Sequence, residues 1–396
     1  MKIAIVIGDD FVGDDPARLS TAMTALGHDV TVYVRQRDRR TEQKRPDRGY
    51  RIVSVRVGPG AARSAADALP FVGHWAATLD QQWSRDRPDI VHAFGWLGGM
   101  AAQLAARRSG RLTVQTFQGF TALSATPGTA TGEDAARARL EPLLARSAGW
   151  ATVESTSELE TVARLRHGRE RASVLTGGVD VKRYTPVGPA FDRTDVYRIL
   201  CLAPNALSGN GFDITIQALP RVPAAEVVVA ETESTNRRND EARAKLKQLT
   251  IELGVADRVR FLGAVPDSEL PMLLRSVDVV ACTPRRPPRA TAALQAMASG
   301  VAVVGVPVGV LNDVVVTDVT GHLLSDDSPK ELATALRTLA AERFRCEGMG
   351  AAGRSRAMSR YTWDRIALDS LAIYGRLSAG HLPSGRQAKA MEEVTR

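Results

Sequence analysis

The chain has 396 residues, of which 44% are hydrophobic and 24% charged, so it is long enough for two domains and apolar enough to bury a core in each. Three cysteines, Cys201, Cys282 and Cys346, are too few for a disulfide framework or a zinc site, and we expect them to be small core residues in a reducing compartment. A net charge of +8 suits an anionic partner, but aromatic residues make up only 5% of the chain, which argues against a nucleic-acid stacking platform.

The sequence also predicts where the protein works. The N-terminal segment MKIAIVIGDD has too short an apolar run for a signal peptide, and no stretch approaches the roughly 20 apolar residues that cross a bilayer. We therefore expect a cytoplasmic protein. Its positive charge leaves two kinds of anionic partner open: phosphate groups, and an anionic membrane surface to which the protein binds peripherally.

In the first half, short β-branched runs alternate with amphipathic segments, which is typical of parallel sheets with crossover helices. Most of the runs are apolar on both faces, so we expect strands buried between two helical layers. Gly27 and Gly110 each follow a helical segment and are expected to end it in a left-handed conformation. The strands of this half are predicted at 2–7, 29–34, 51–57, 90–93, 112–116 and 150–153.

The pattern pauses at residues 181–197, VKRYTPVGPAFDRTDVY, where two prolines, a glycine and mixed charges predict a linker. A second series of strands is predicted at 198–203, 226–230, 258–262, 277–282 and 301–306. Two doubly wound sheets joined by a linker are expected to leave a cleft, and ligands of such sheets gather at the carboxyl ends of the strands. The tail at 380–396 is polar and aperiodic and is predicted to be disordered.

Several segments form a characteristic series. They include PDIVHAFGWLGGM and VLTGGVDVKRYTP in the first half, and RILCLAPNALSGNGFDITIQAL, VADRVRFLGAVPDSELP and LQAMASGVAVVGVPVGV in the second. In this order, the segments resemble the retaining glycosyltransferases of family 4, also described as glycosyl transferases group 1. The resemblance covers roughly residues 1–377. It implies the α/β GT-B architecture, with two Rossmann-like doubly wound domains facing a central cleft.

The same resemblance implies the boundaries of the parts. An acceptor-side domain is expected at 1–185 and a nucleotide-sugar donor-side domain at 186–362. A helix at 363–379 is expected to cross back to the first domain, followed by the disordered tail. Acceptor contacts are expected from the loops at 11–15 and 121–134, whereas the sugar, the base, the acceptor and the oligomeric state are not readable from the sequence.

The implied reaction is transfer of a sugar from a nucleotide diphosphate sugar to an acceptor with retention of configuration. The leaving diphosphate gathers negative charge, so the site needs cations and N–H donors that act mainly in the transition state. Family members supply an arginine and a lysine in the phosphate loop and two glutamates separated by seven residues. The nucleotide diphosphate sugar is the co-substrate, and neither a metal nor another cofactor is expected.

Most of these donor positions carry other residues in this chain. Aligned on Gly211, the arginine and lysine positions are Asn205 and Asn210. The two glutamate positions are Pro287 and Gln295. The catalytic motifs are therefore expected to be degenerate.

The histidines that enter the cleft in family members are also largely replaced. The second member of a histidine pair aligns with Phe94, and a further histidine aligns with Gln118, so that His92 alone remains. His92 and Gln118 are the candidates for a catalytic role. A histidine at the end of a buried strand is, however, more often structural than a proton carrier.

Three arginines follow the fourth strand of the second series, in the segment TPRRPPR before a helix predicted at 291–298. Arg285, Arg286 and Arg289 suit a phosphate near a helix N-terminus, and the alternative is a solvated basic loop. The donor-binding candidates are Asn205, Asn210, Gly211, Arg285, Arg286, Arg289 and Gln295.

Two functions follow, and the sequence leaves open whether the chain is an enzyme. The first is a glycosyltransferase (of the hexosyltransferase class) with a strongly altered donor site. The alternative is a non-catalytic pseudo-glycosyltransferase that acts as a partner or scaffold of an active glycosyltransferase, or that binds a nucleotide or sugar phosphate. Function resides in the site rather than in the fold, so the geometry of the site has to separate them.

Overall fold

The computed structural model describes residues 1–8, 13–36, 49–58, 65–120, 132–233 and 236–380. The chain divides into two compact units. The first comprises Met1–Val153, Glu158–Leu175 and the residues from Ala367 onward, and the second comprises Glu154–Ser157 and Thr176–Ile366. The tail predicted at 380–396 lies outside the described residues except for Gly380. The domain boundary between residues 185 and 186 stays a prediction.

The first unit is built on one parallel sheet. Its strands are Lys2–Ile7 (β1), Asp29–Gln36 (β2), Arg51–Arg56 (β3), Ile90–Phe94 (β4), Leu112–Thr116 (β5), Trp150–Val153 (β6) and Ala172–Val174 (β7). The helices between them are Asp15–Ala25 (α1), Ala65–Ala68 (α2), Val72–Asp86 (α3), Trp96–Ser109 (α4), Gly132–Ser147 (α5) and Thr156–Leu165 (α6). The strand order is β3-β2-β1-β4-β5-β6-β7, and every pairing is parallel.

The order of the strands fixes which face each helix covers. From β3 onward the chain always moves in the same direction across the sheet, and right-handed crossovers therefore place α3, α4, α5 and α6 on one face. That face carries the core of the unit, in which Trp75, Leu79 and Trp83 pack with alanines of α4. Central strands such as β4 are buried on both faces, as their apolar sequences predict.

The second unit has a six-stranded parallel sheet. Its strands are Tyr197–Ala203 (β8), Ala225–Glu231 (β9), Val259–Ala264 (β10), Val279–Cys282 (β11), Ala302–Gly305 (β12) and Gly321–Leu323 (β13). Its helices are Phe212–Ala218 (α7), Arg237–Glu252 (α8), Leu270–Arg275 (α9), Thr291–Ala298 (α10), Leu311–Val314 (α11), Pro329–Ala341 (α12) and Arg343–Arg360 (α13), and the last helix of the chain is Trp363–Ala379 (α14). The order is β10-β9-β8-β11-β12-β13.

Two parallel Rossmann-like sheets confirm the predicted α/β class. Gly27 and Gly110 have φ values of 84° and 63° and end their helices in the left-handed region, as predicted. The sequence patterns missed β7 and β13, because strands of three residues are too short to show a period. No helix among the described residues combines the length and the hydropathy that a bilayer span requires.

The segment predicted as a linker has no helix or strand before β8 begins. It is nevertheless packed on the second unit, since Tyr184 is 4% exposed within the core beside β8 and Phe191 packs against the same core. The three cysteines are free thiols, and burial raises the pKa of Cys201 to about 12. Such a thiol is a core residue and not a nucleophile.

Candidate donor site

The loop between β8 and α7 is closed by hydrogen bonds between its own side chains. Asn210 Nδ2 donates to the carbonyl oxygen of Asn205 at 2.9 Å and to its Oδ1 at 3.0 Å. Asn205 Nδ2 donates in turn to Glu233 Oε2 at 3.1 Å. The amide groups of both asparagines therefore bind within the unit, and a carboxylate stands beside the loop.

Gly211 ends this loop in a conformation that suits glycine. Its φ is +69°, and a Cβ added there would lie 1.7 Å from the carbonyl oxygen of Thr283. Thr283 Oγ1 also donates a hydrogen bond to the Gly211 carbonyl at 2.7 Å. The loop is thus held against the residue that follows β11, and a side chain at position 211 has no room.

Arg285 also joins the β8–α7 loop to the segment that follows β11. Its backbone N–H donates to the Gly209 carbonyl at 2.9 Å, and Nη1 donates to the Ser208 carbonyl at 3.0 Å. Both Nη atoms bind the carboxylate of Asp213, at 2.7 and 2.6 Å. The hydrogen bond with Asp213 raises the pKa of Arg285, which is the sign of a guanidinium already paired with an anion.

The other two arginines of the segment differ from each other. Arg289 Nε lies 3.6 Å from Glu154 Oε1, and the Glu154 side chain is only 8% exposed. Arg286 is exposed and forms no ion pair with any described residue; its Cδ runs 3.8 Å from where a Cβ on Gly209 would stand. Of the three predicted cations, only Arg286 lacks an ion pair within the part of the chain that the structure describes.

The two positions that align with glutamates in the resemblance also have defined neighbours. Gln295, on α10, donates from Nε2 to Tyr184 Oη at 2.9 Å, and that hydroxyl donates to Asp267 Oδ1 at 3.3 Å. Pro287 packs on Gly309, since a Cβ on that glycine would lie 2.8 Å from Pro287 Cβ. Gln295 therefore does not share hydrogen bonds with Asn205 or Asn210.

His92 lies in the first unit, where it is fully buried in β4. Its Nδ1 is 2.6 Å from Tyr374 Oη of α14, and its Nε2 is 2.6 Å from Thr116 Oγ1. The ring stacks on Phe94 with centroids 4.3 Å apart. Both ring nitrogens are engaged by hydroxyl groups, and burial lowers the pKa of His92 to about 3, so the ring is neutral and has no nitrogen left for a substrate.

This burial predicts how the protein responds to acid. Because the folded-state pKa of His92 is below the ordinary 6.5, the unfolded chain takes up a proton at this site as the pH falls below that value while the folded chain does not. Stability from this group is therefore lost on acidification. We expect the His92→Gln variant to have a lower melting temperature than the parent chain at neutral pH. Between about pH 7 and about pH 5, its melting temperature is expected to fall by less than that of the parent chain. An equal loss in both chains would show that His92 is protonated in the folded state.

Gln118 lies in the loop that follows β5. Its carbonyl and that of Gly119 accept hydrogen bonds from Arg137 Nη2, at 3.3 and 2.5 Å, and the next residue, Phe120, donates its N–H to the buried carboxylate of Glu158 at 3.1 Å. The base of the loop is therefore anchored by α5 and α6. Most of the predicted acceptor segments, residues 11–12 and 121–131, lie outside the described residues.

Two family models match successive parts of the chain: "Glycosyltransferase Family 4" matches residues 17–183, and "Glycosyl transferases group 1" matches residues 195–356. A D-inositol 3-phosphate glycosyltransferase of Xylanimonas cellulosilytica is 30% identical over 382 residues, which is 90% of this chain and 89% of that protein. The chain belongs to glycosyltransferase family 4. A protein of the same name from Jonesia denitrificans is 27% identical over the same shares of both chains.

Solved structures of other glycosyltransferases share the fold of this family 4 chain. Sucrose-phosphate synthase from Thermosynechococcus elongatus matches with a TM-score of 0.81 and 20% identity, over 96% of this chain and all of that one. HepE from Anabaena, in complex with UDP-glucose, matches with a TM-score of 0.72 and 17% identity, over 96% and 100% of the two chains. These likenesses confirm the GT-B fold.

The structure thus brings together one part of the predicted donor set. Within the second unit, Asn205, Asn210 and Gly211 meet Arg285 and Arg286 where β8 and β11 end. His92 and Gln118 belong to the first unit. Sequence reasoning missed the carboxylates of Asp213, Glu233 and Glu154, because nothing in their local sequence marks them as partners of residues 28 to 135 positions away in the chain.

Proposed function

We propose that the second unit binds a nucleotide diphosphate sugar, or a related nucleotide or sugar phosphate, where β8 and β11 end, and that ordinary retaining transfer is strongly reduced. The observation that carries this proposal is the closed pair of Asn205 and Asn210, which stand where the resemblance places an arginine and a lysine. Neutral amides bonded to each other supply no charge to a leaving diphosphate.

The charges around the loop support the same proposal. Arg285 is bound to Asp213 in two-point geometry, and Asn205 is bonded to Glu233, so that a carboxylate accompanies each of these polar groups. Of the three arginines, Arg286 has no carboxylate partner among the described residues and remains available to a phosphate. Removal of one donor that stabilises a transition-state anion costs about 100-fold to 1,000-fold in rate, and a site with two such positions neutralised is therefore expected to turn over slowly.

The names of related proteins support a nucleotide sugar as the class of ligand. The relatives from Xylanimonas and Jonesia are named as glycosyltransferases of D-inositol 3-phosphate, and Anabaena HepE is solved with UDP and with UDP-glucose. We therefore propose a nucleotide diphosphate as the ligand of the second unit.

Calorimetry against nucleoside diphosphates and their sugars, followed by transfer assays with inositol phosphates among the acceptors, tests the proposal. We expect binding of at least one nucleoside diphosphate with slow or absent turnover. Rapid transfer by the unmodified protein without a partner would contradict the proposed loss of activity. Absence of binding across the panel would instead favour the partner or scaffold alternative.

The different surroundings of the arginines predict different effects of replacing them. We expect Arg286→Ala to weaken nucleoside diphosphate binding by about 1.5 to 3 kcal/mol, the contribution of one charged hydrogen bond. Asp213→Asn is expected to strengthen binding, because it removes the carboxylate that competes with a phosphate for Arg285. Calorimetry at low and raised salt measures both changes.

Arg238→Ala is the matched control, since Arg238 is also an exposed arginine of the second unit but lies on α8. It is expected to bind like the parent chain. If Arg286→Ala also binds like the parent chain, the segment is a solvated basic loop and its arginines do not contact the ligand.

A further inference from the structure

Arginines gather where three helices of the first unit end. Helices α4, α5 and α6 lie on one face of the sheet and run in the same direction, so that their last turns lie along one edge. We call residues 104–111, 143–147 and 164–171 the basic face. It contains Arg107, Arg108, Arg111, Arg146, Arg164, Arg166, Arg169 and Arg171, and Glu170 is its one carboxylate.

Hydrogen bonds between the three helix ends make this a continuous surface. Gln103 Nε2, one residue before the face on α4, donates to the Leu144 carbonyl of α5 at 3.1 Å. Arg166, after α6, donates to the Ala145 carbonyl and, at 3.0 Å, to the Ala148 carbonyl at the end of α5. The segments are therefore neighbours in space as well as similar in composition.

The positive charges of the basic face are poorly neutralised. Six of its arginines are exposed, and the ion pair they form with a described residue is a long one, between Arg169 and Glu160 at 4.0 Å. Burial, and then the nearby charge of Arg171, lower the pKa of Arg166. The neighbouring charge that most affects the pKa of Arg166 is therefore another arginine and not an acid, which indicates a region of uncompensated positive potential.

Two leucines stand among these arginines. Leu104 is 37% exposed and Leu143 is 55% exposed, each one turn before the arginines of its own helix. A positive residue in the last turn of a helix is explained by the helix dipole alone. That explanation covers neither the exposed leucines nor the two exposed arginines after α6, Arg169 and Arg171.

We infer that the basic face binds the surface of a bilayer that contains anionic lipids. Arginines attract anionic headgroups and extend their charged ends toward them, while exposed leucines between them enter the boundary of the acyl chains. This combination favours a membrane over a purely polar anionic partner. The inference rests on the first unit alone and is independent of the function proposed for the second.

Other occupants fit less well. A second copy of the same face carries the same charge and repels it. The tail at 381–396 has three basic and two acidic residues, so it has no net negative charge to offer. The basic face has no phenylalanine, tyrosine or tryptophan on which a nucleic-acid base would stack.

Co-sedimentation of the full chain with vesicles tests the inference. We expect binding to phosphatidylcholine vesicles that contain phosphatidylglycerol, little binding to phosphatidylcholine alone, and weaker binding as salt is raised. Arg146→Glu with Arg169→Glu is expected to weaken binding by about 30-fold or more, given the contribution of each basic residue near an anionic surface. Leu143→Ser is expected to weaken it by about tenfold with an unchanged salt dependence.

Arg238→Glu with Arg337→Glu is the matched control, because it reverses two exposed arginines of the second unit and changes the net charge equally. It is expected to bind like the parent chain, and melting curves check that each variant is folded. The inference is overturned if the parent chain does not bind anionic vesicles, if it binds neutral vesicles equally well, or if the control loses as much as the test variant. Tight binding to an acidic protein or a nucleic acid in place of vesicles overturns it as well.

Discussion

A chain with Asn205→Arg, Asn210→Lys, Pro287→Glu and Gln295→Glu is expected to hydrolyse or transfer from a nucleotide diphosphate sugar at least about 100-fold faster than the parent chain. The four changes restore the residue types that the resemblance places at these positions. Asn205 and Asn210 are half-buried and hydrogen-bonded to each other, so longer cationic side chains at both positions separate the pair and point outward. Release of the nucleoside diphosphate with time measures the gain.

The matched control, Asn205→Gln with Asn210→Gln and Pro287→Gln, changes three of the four positions without restoring charge and leaves Gln295 as it is. It is expected to be as slow as the parent chain. If the restored chain binds the sugar nucleotide more tightly but remains inactive, the catalytic loss lies in the first unit, where the resemblance places histidines at the positions of Phe94 and Gln118. If the parent chain is already as fast as the restored one, the donor site is not degenerate.

Gly211→Ala is expected to destabilise the second unit by roughly 2 to 6 kcal/mol. The cost has two parts: an alanine is forced into a left-handed backbone conformation, and its Cβ overpacks the surrounding core. The added Cβ would stand 1.7 Å from the Thr283 carbonyl, which is backbone and has no rotamer with which to move away. The loop and the end of β11 must then separate, and the bond between Arg285 N–H and Gly209 is lost with them. Urea denaturation measures the loss.

Gly254→Ala is a closely matched comparison. Gly254 has a φ of +66°, close to the +69° of Gly211, but a Cβ there meets nothing within 4 Å. It is expected to cost about 1 kcal/mol from backbone strain alone. The difference between the two variants therefore isolates the close approach to Thr283, and equal losses would show that the donor loop is free to move away from β11.

The periodic patterns of the sequence predicted most of the fold, since long buried strands and their glycine-ended helices carry local signals. Strand β1 was predicted at its observed bounds, as were β5 and β6. The strands that were missed have three residues and no period to detect. The length of an element therefore determined whether its sequence pattern could be recognised.

The candidate site was only partly predictable. The sequence located Asn205, Asn210 and the three arginines, and four of these residues, Asn205, Asn210, Arg285 and Arg286, meet around one loop where parallel strands end. The counter-charges were not predictable, because Arg285 and Asp213 are 72 residues apart and pair only when α7 and β11 are placed by the sheet. The same holds for Arg289 and Glu154.

The contact between His92 and Tyr374 joins residues 282 positions apart, on either side of the whole second unit in the sequence. The hydroxyl that satisfies the buried ring arrives on the last helix, after the whole second unit has been synthesised. The nascent first unit therefore leaves the ribosome with an incomplete core and with His92 Nδ1 lacking its tyrosine partner, although domains made early commonly fold first. Its final packing waits until α14 has been synthesised, and a chain that stops short of α14 is a substrate for quality control even if every strand is present.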